Sequence, residues 1–146
     1  ASLIVFTRWV LVMTHFERAM YADPDGDLNS LWWQLVEKYQ WLHKPEGRNA
    51  PDWAAKIHIA LAPVYYQNYI LGEMEASQLV HVLRNQVLAG EPKHALVSSP
   101  RVGTFLKQKV FSTGASLPWE EALEYATGER LNPAYFVAQM EAEEPI

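Results

Sequence analysis

Apolar positions along this chain recur mainly every three to four residues, the period of a helix that buries one face. Over residues 3–21, Leu3, Phe6, Val10, Met13, Glu17 and Met20 share one track, with Trp9, Val12 and Phe16 on its neighbour. A helix apolar over so much of its circumference is covered on several sides. The aspartates, Pro24 and Gly26 of YADPDGD then break it into a turn. Asp27 reads as the N-cap of a second helix, DLNSLWWQLVEKYQWL, with Leu28, Leu31, Trp32, Leu35, Val36, Tyr39 and Leu42 as its stripe. HKPEGRNAP reads as a polar loop. PDWAAKIHIALA is expected to be helical or partly irregular as far as Pro63. Pro63 is expected to open a long helix over 63–89, the longest single element, ending at Gly90. Gly72 inside it suggests a close helix crossing or a backbone approach to a ligand, with a simply tolerated glycine as the alternative.

EPKHALVSSP reads as a linker. Ser99 before Pro100 has the form of a helix start for RVGTFLKQKVF, and Ser116 is expected to cap the short helix WEEALEYAT, which stops at Gly128. Asn132 and Pro133 are expected to cap the last helix, AYFVAQMEAEE, whose tail frays. No period of 20 to 50 residues repeats. IHIAL alternates as a strand would, but it is too short to outvote its surroundings. The pattern predicts an all-α helical bundle, one helical domain over 1–146 with 98–146 as a short helical tail.

Length and composition narrow this little further. The chain has 146 residues, 49% apolar and 20% charged, with a formal charge of −5. That suits a globular domain with a real core and not a disordered chain. Without cysteine there is no disulfide framework and no thiolate chemistry, which fits a reducing, cytoplasmic compartment and leaves a periplasmic one open. Twelve Lys and Arg stand against seventeen acidic residues with no basic stripe, so nucleic acid is not an expected partner. The apolar start is interrupted by Arg8, His15, Glu17 and Arg18 and reads neither as a membrane span nor as a signal peptide. It has no initiator Met and no polar lead-in, so the expectation is a piece of a longer protein that starts within a helix.

Metal and nucleophile motifs are missing. There is no HExxH, no pair of histidines at i and i+4, and His15 and Glu17 fall on different helix faces. No GxSxG and no glycine-rich phosphate loop occur. The stretch that does concentrate chemistry is KIHIALAPVYYQNY, residues 56–69. Tyr65 and Tyr69 are four apart, Tyr66 and Tyr69 three apart, so each pair shares a helix face. Phenols and an imidazole converging there would donate hydrogen bonds to an oxygen gaining negative charge, and Lys56 would pair with a carboxylate. The alternative is that these are core or groove residues with satisfied polar tips.

The runs RWVLVMTHFERAMY, DLNSLWWQLVEKYQ and PDWAAKIHIALAPVYYQNYILGEMEASQL resemble the C-terminal catalytic half of bacterial zinc peptidases. These are related to angiotensin-converting enzyme and, more distantly, to thimet oligopeptidase and oligoendopeptidase F. RVGTFLKQKVFSTGASLPWEEALEYATGERLNPAYFVAQ is similar to the helical end of the same enzymes. The resemblance implies a mostly helical, zincin-like peptidase acting on peptides, whose HExxH helix and further glutamate ligand lie upstream of Ala1. No metal ligand is then expected in this chain, which would be inactive alone, would form one wall of the substrate cleft, and would self-associate where the upstream half is missing. The resemblance gives Lys56 and Tyr65 the peptide's C-terminal carboxylate, and His58 the substrate backbone near the scissile bond. A second tyrosine, stabilising the oxyanion, is expected three residues after Tyr65, but Asn68 stands there. Tyr69 is one place further, and the oligopeptidase pattern pairs Tyr66 with Tyr69 beside His58. Tyr69 fits both registers and is the expected transition-state donor; the carboxylate role is divided between Tyr65 and Tyr66. The rival reading is a non-catalytic helical module that binds a peptide or partner helix in an aromatic groove.

Overall fold

The computed structural model describes residues 2–142; Ala1 and the tail at 143–146 that was expected to fray lie outside the described residues. Among the described residues there are eight α-helices and no β-strand, so the all-α expectation holds. No described helix is long and apolar enough to cross a membrane. The chain divides into two compact units, residues 1–71 and 72–146. The division falls inside a helix, at Gly72.

In the first unit, α1 (Ser2–Ala22) and α2 (Leu28–Gln40) are joined by the Asp–Pro–Gly turn. They run antiparallel: the Arg8 guanidinium donates to the carbonyl of Tyr39, and Gln40 Nε2 donates to that of Val5 at 3.2 Å. Asp27 caps α2 as expected, Oδ1 accepting from the Ser30 N–H at 3.0 Å, and the Ser30 side chain first, then this backbone bond, hold its carboxyl below the usual range. Val10, Val12, Met13 and Phe16 of α1 close on Trp32 and Val36 of α2, with Tyr66 completing the core. Leu42, expected on the α2 stripe, is exposed, because the helix ends at Trp41 in a left-handed conformation (φ 59°). That ring lies under the Arg8 guanidinium at 3.7 Å.

The indole N–H groups of two tryptophans find partners. Trp33 donates to Asp52 Oδ2 and Trp53 to Asn29 Oδ1, both at 3.1 Å. Asp52 is also paired with Arg48, which lowers its carboxyl pKa. A 3₁₀ turn (Asp52–Ala55) and α3 (Ile57–Leu61) follow, so PDWAAKIHIALA is helical and partly irregular, as its sequence suggests.

The next helix differs from expectation. α4 spans Gln67–Val82, not 63–89, and α1 is the longest single element. The reason is Val64, whose φ of +55° is outside the helical region. A β-branched residue there costs about 1–3 kcal/mol, and the conformation persists because two side chains hold it. The buried carboxylate of Glu17 accepts from the Val64 N–H at 2.6 Å, and Gln67 Nε2 donates to the Val64 carbonyl at 2.7 Å. Gly72 makes no close crossing: a Cβ built on it meets nothing within 4 Å.

In the second unit, α4 passes into a π-helical turn, Leu83–Val87, closed by the Leu88 N–H bonding to the Leu83 carbonyl at 2.9 Å. The expected linker contains a short helix, α5 (Ala95–Ser98). Ser99 caps α6 (Pro100–Phe105), accepting from the Arg101 N–H, and a second π-turn, Leu106–Val110, follows. Ser116 does not cap α7 (Trp119–Thr127). Its hydroxyl donates back to the Thr113 carbonyl, and the helix opens on Pro118 with Glu120 and Glu121 in its first turn, where the helix dipole favours negative charge. Gly128 ends α7 at φ 88°, and Asn132 Oδ1 accepts from the Ala134 N–H to start α8 (Ala134–Glu141).

One buried amide holds the α7–α8 connection. Gln78 is fully buried; its Nε2 donates to Thr127 Oγ1 and to the carbonyls of Glu129 and Arg130, and its Oε1 accepts from the Asn132 N–H. Such a group is costly to bury unless every polar atom is paired, and here it is. No sequence signal marked it beyond a polar residue at a helical core position.

Candidate functional site

His58 lies on the second residue of α3 and Tyr69 in the first turn of α4, with Tyr65 and Tyr66 just before that helix begins. The left-handed residue Val64 lies between the two helices. His58 and Tyr69, eleven residues apart in sequence, come together across this turn, His58 Nε2 standing 3.1 Å from the Tyr69 hydroxyl. The phenol donates to an unprotonated Nε2 or accepts from a protonated one.

The other tyrosines surround this pair. Tyr66 packs its ring edge-on against His58, with centroids 4.7 Å apart, and against Tyr69 at 5.2 Å. Tyr65 meets Tyr69 edge-on at 5.5 Å, and Phe6 meets it at 6.0 Å. Exposure separates their roles. Tyr65 and Tyr69 are 45% and 40% exposed, whereas Tyr66 is 9% exposed. Two phenols are thus available to a bound molecule and one is part of the core.

Lys56 lies elsewhere. Its ammonium sits over the Trp9 indole, 4.7 Å from the ring centroid. It borders a hollow of about 890 Å³ that Trp9, Trp32 and Trp33 line with the loop that follows α2; none of His58, Tyr65, Tyr66 or Tyr69 lines it. Trp9, placed by the sequence on an apolar track, packs against the core and carries the Lys56 ammonium on its outer face. Glu17 was read as part of that track, as a charge interrupting the apolar start and as no metal ligand beside His15, but not as a buried partner for the turn. An acidic residue on an apolar stripe is the signal that was available, since a buried carboxylate needs a partner.

Burial raises the Tyr66 phenol above its ordinary value, against a smaller opposing contribution from the neighbouring Trp9 indole. The sign for stability follows. With its pKa higher in the folded chain, neutral Tyr66 stabilises the fold fully below about pH 10, the unfolded phenol value. That contribution disappears as the pH rises through the folded value. Tyr66→Phe is therefore expected to flatten the loss of stability above pH ~10 relative to wild type. Urea midpoints measured across the alkaline range check this, and equal slopes in the two proteins would refute it.

The described residues include no group of three or more His, Cys, Asp or Glu placed to hold a metal ion. What the described residues bring together here is a histidine and tyrosine cluster whose groups can donate and accept protons.

Comparison with known proteins places this geometry in context. The chain is 26% identical to angiotensin-converting enzyme of Haematobia irritans exigua over 93% of its length, covering 24% of that protein. It is 31% identical to the mouse (Mus musculus) angiotensin-converting enzyme over 72% of its length, covering 8% of that protein. It is 24% identical to thermostable carboxypeptidase 1 of Pyrococcus furiosus over 94% of its length, covering 28% of it. The chain thus spans well under a third of each of these relatives. No solved structure matches significantly. The model of the carboxypeptidase Taq (M32) metallopeptidases matches residues 59–143, which takes in all three tyrosines and begins one residue after His58. The metallopeptidase assignment read from the sequence stands, and this match sharpens it to a group not named there: the chain belongs to the carboxypeptidase Taq (M32) metallopeptidase family.

Proposed function

We propose that this chain forms one wall of the substrate cleft of a metallopeptidase that hydrolyses peptide bonds of oligopeptides. The observation that carries the reading is the His58–Tyr69 pair, 3.1 Å apart on an exposed surface, in a chain whose family and relatives are peptidases. Tyr69 donates its hydroxyl hydrogen bond to the carbonyl oxygen of the scissile bond as that oxygen becomes an oxyanion. His58 orients the phenol and contacts substrate backbone. Tyr66, buried and held neutral, braces the imidazole. Tyr65 faces the peptide's C-terminal end.

Lys56 completes the carboxylate contact in this reading. Its rest position on Trp9, partly buried, is worth between about 0.5 and 2 kcal/mol. A charge-assisted hydrogen bond is worth about 1.5–3 kcal/mol, so an arriving carboxylate wins the ammonium. The zinc of such a peptidase would be held by residues outside this chain, since the described residues offer no ligand cluster for it; the isolated chain is then inactive. Exposed apolar side chains next to the site, Ile57, Leu61 and Val64 among them, support cover by the rest of the peptidase and self-association of the chain alone.

In the full-length enzyme, Lys56→Ala is expected to raise KM about 10- to 100-fold for peptides with a free C-terminal carboxylate, and to leave the corresponding amides unaffected. His58→Ala is expected to impair both kcat and KM. Steady-state kinetics on a carboxylate and amide peptide pair checks both. An equal KM change on the two peptides would remove Lys56 from the site, and unchanged constants in His58→Ala would overturn the proposed function.

A further inference from the structure

We infer that Glu17, far from the tyrosines in sequence, is a positioning residue for the His58–Tyr69 pair, an inference that rests on the catalytic reading given above for its kinetic consequence. Glu17 is 5% exposed, on a helix whose neighbouring buried residues are Val10, Val12, Met13 and Phe16. A carboxylate in such surroundings is retained only where it has a partner that cannot be satisfied otherwise. That partner is the backbone N–H of Val64, 2.6 Å from Oε1 and 47 residues away in the chain.

Val64 is the residue on which the geometry of the site depends. It is the left-handed residue between α3, which carries His58, and α4, whose first turn carries Tyr69. A valine does not adopt φ +55° for its own sake, so something outside the turn must hold it. Gln67 holds the carbonyl side of Val64 from within the same turn. Glu17 holds the N–H side from α1, tying the turn to the core helix. If Val64 relaxed to negative φ, the direction of the chain entering Tyr65 and Tyr66 would change, and Tyr69 would leave His58. A carboxylate that merely filled space would need no contact with this residue in particular.

The decisive measurement is the ¹⁵N resonance of His58 Nε2 in the folded chain, with Tyr69→Phe as the reference for a broken pair. Glu17→Leu is expected to move the resonance to the Tyr69→Phe position. Glu17→Gln, which keeps an oxygen acceptor, is expected to stay near wild type. A folded Glu17→Leu chain with wild-type His58 Nε2 would overturn the inference. Where Glu17→Leu does not fold, the Val64 amide of the wild-type chain decides instead: slow hydrogen exchange supports the clamp, and exchange at the rate of open backbone overturns it. In the full-length enzyme Glu17→Leu is expected to lower kcat about 10- to 100-fold, the cost of a displaced catalytic group, with KM little changed and with most of the loss recovered in Glu17→Gln. Normal kcat in a folded Glu17→Leu enzyme overturns the kinetic role. If Tyr69→Phe also leaves kcat unchanged, the catalytic reading is what fails, while the His58 resonance still decides whether Glu17 sets the pair.

Discussion

Tyr69→Phe in the full-length enzyme is expected to lower kcat by about 10²–10³ with KM nearly unchanged, the size of effect seen when one oxyanion donor is removed. The split between the constants follows from when the hydroxyl is used. A ground-state carbonyl oxygen gains little from a phenol donor, whereas an oxyanion gains much, so losing the donor raises the barrier and spares binding. The exposed position of Tyr69 and its contact with His58 make it the phenol best placed for this. Tyr66 supplies the contrast. Buried against His58, it is expected to affect stability when changed to Phe, with kcat of the folded fraction preserved. Steady-state kinetics on enzyme titrated for active sites separates the two. Unchanged kcat in Tyr69→Phe would remove Tyr69 from the mechanism, and the loss appearing in Tyr66→Phe instead would move the register to that residue.

The largest effect on stability is expected from Phe16→Ala, a loss of about 3–5 kcal/mol. Phe16 is wholly buried, edge-on to Trp32 at 5.2 Å and against Trp53 at 5.5 Å. Its removal leaves a cavity among rigid rings that close only in part, so the cavity cost adds to the lost transfer energy. Against a total stability of about 5–15 kcal/mol, that is a large fraction of the whole. Tryptophan fluorescence in a urea titration is well suited to the measurement, because five of the six tryptophans lie in residues 1–71. A loss below about 1 kcal/mol would mean that these rings do not form a packed core.

The helices that could be read from sequence are those whose signals are local. The α1 and α2 periodicity, the Asp27 cap, the Ser99–Pro100 start and the Gly128 stop all rest on residues within one turn of the feature they mark. The start of α4 could not be read that way. Pro63 has the form of a first-turn proline, but the next residue is held out of the helix by Glu17, a partner 47 positions away. The same distance hid how the site's residues meet. Spacing put Tyr65, Tyr66 and Tyr69 on shared faces, but which of them meets His58 depends on the turn at Val64. Ser116 failed for a related reason: a serine two residues before a proline suits a cap and a tight turn equally, and the nearby Thr113 carbonyl decided for the turn.

The π-turn at Leu83–Val87 has a consequence for how this chain tolerates change in length. Leu83 and Leu88 are both buried, five residues apart, and an α-helix would put residues five apart on different faces. The wider turn restores their alignment by accommodating one residue more than an α-turn does. Loss of one residue between them would return the segment to α geometry and leave the two leucines four apart, still facing the same way. This stretch therefore has a built-in allowance for a single-residue deletion, whereas the same deletion in the middle of α1 would rotate every core side chain that follows it.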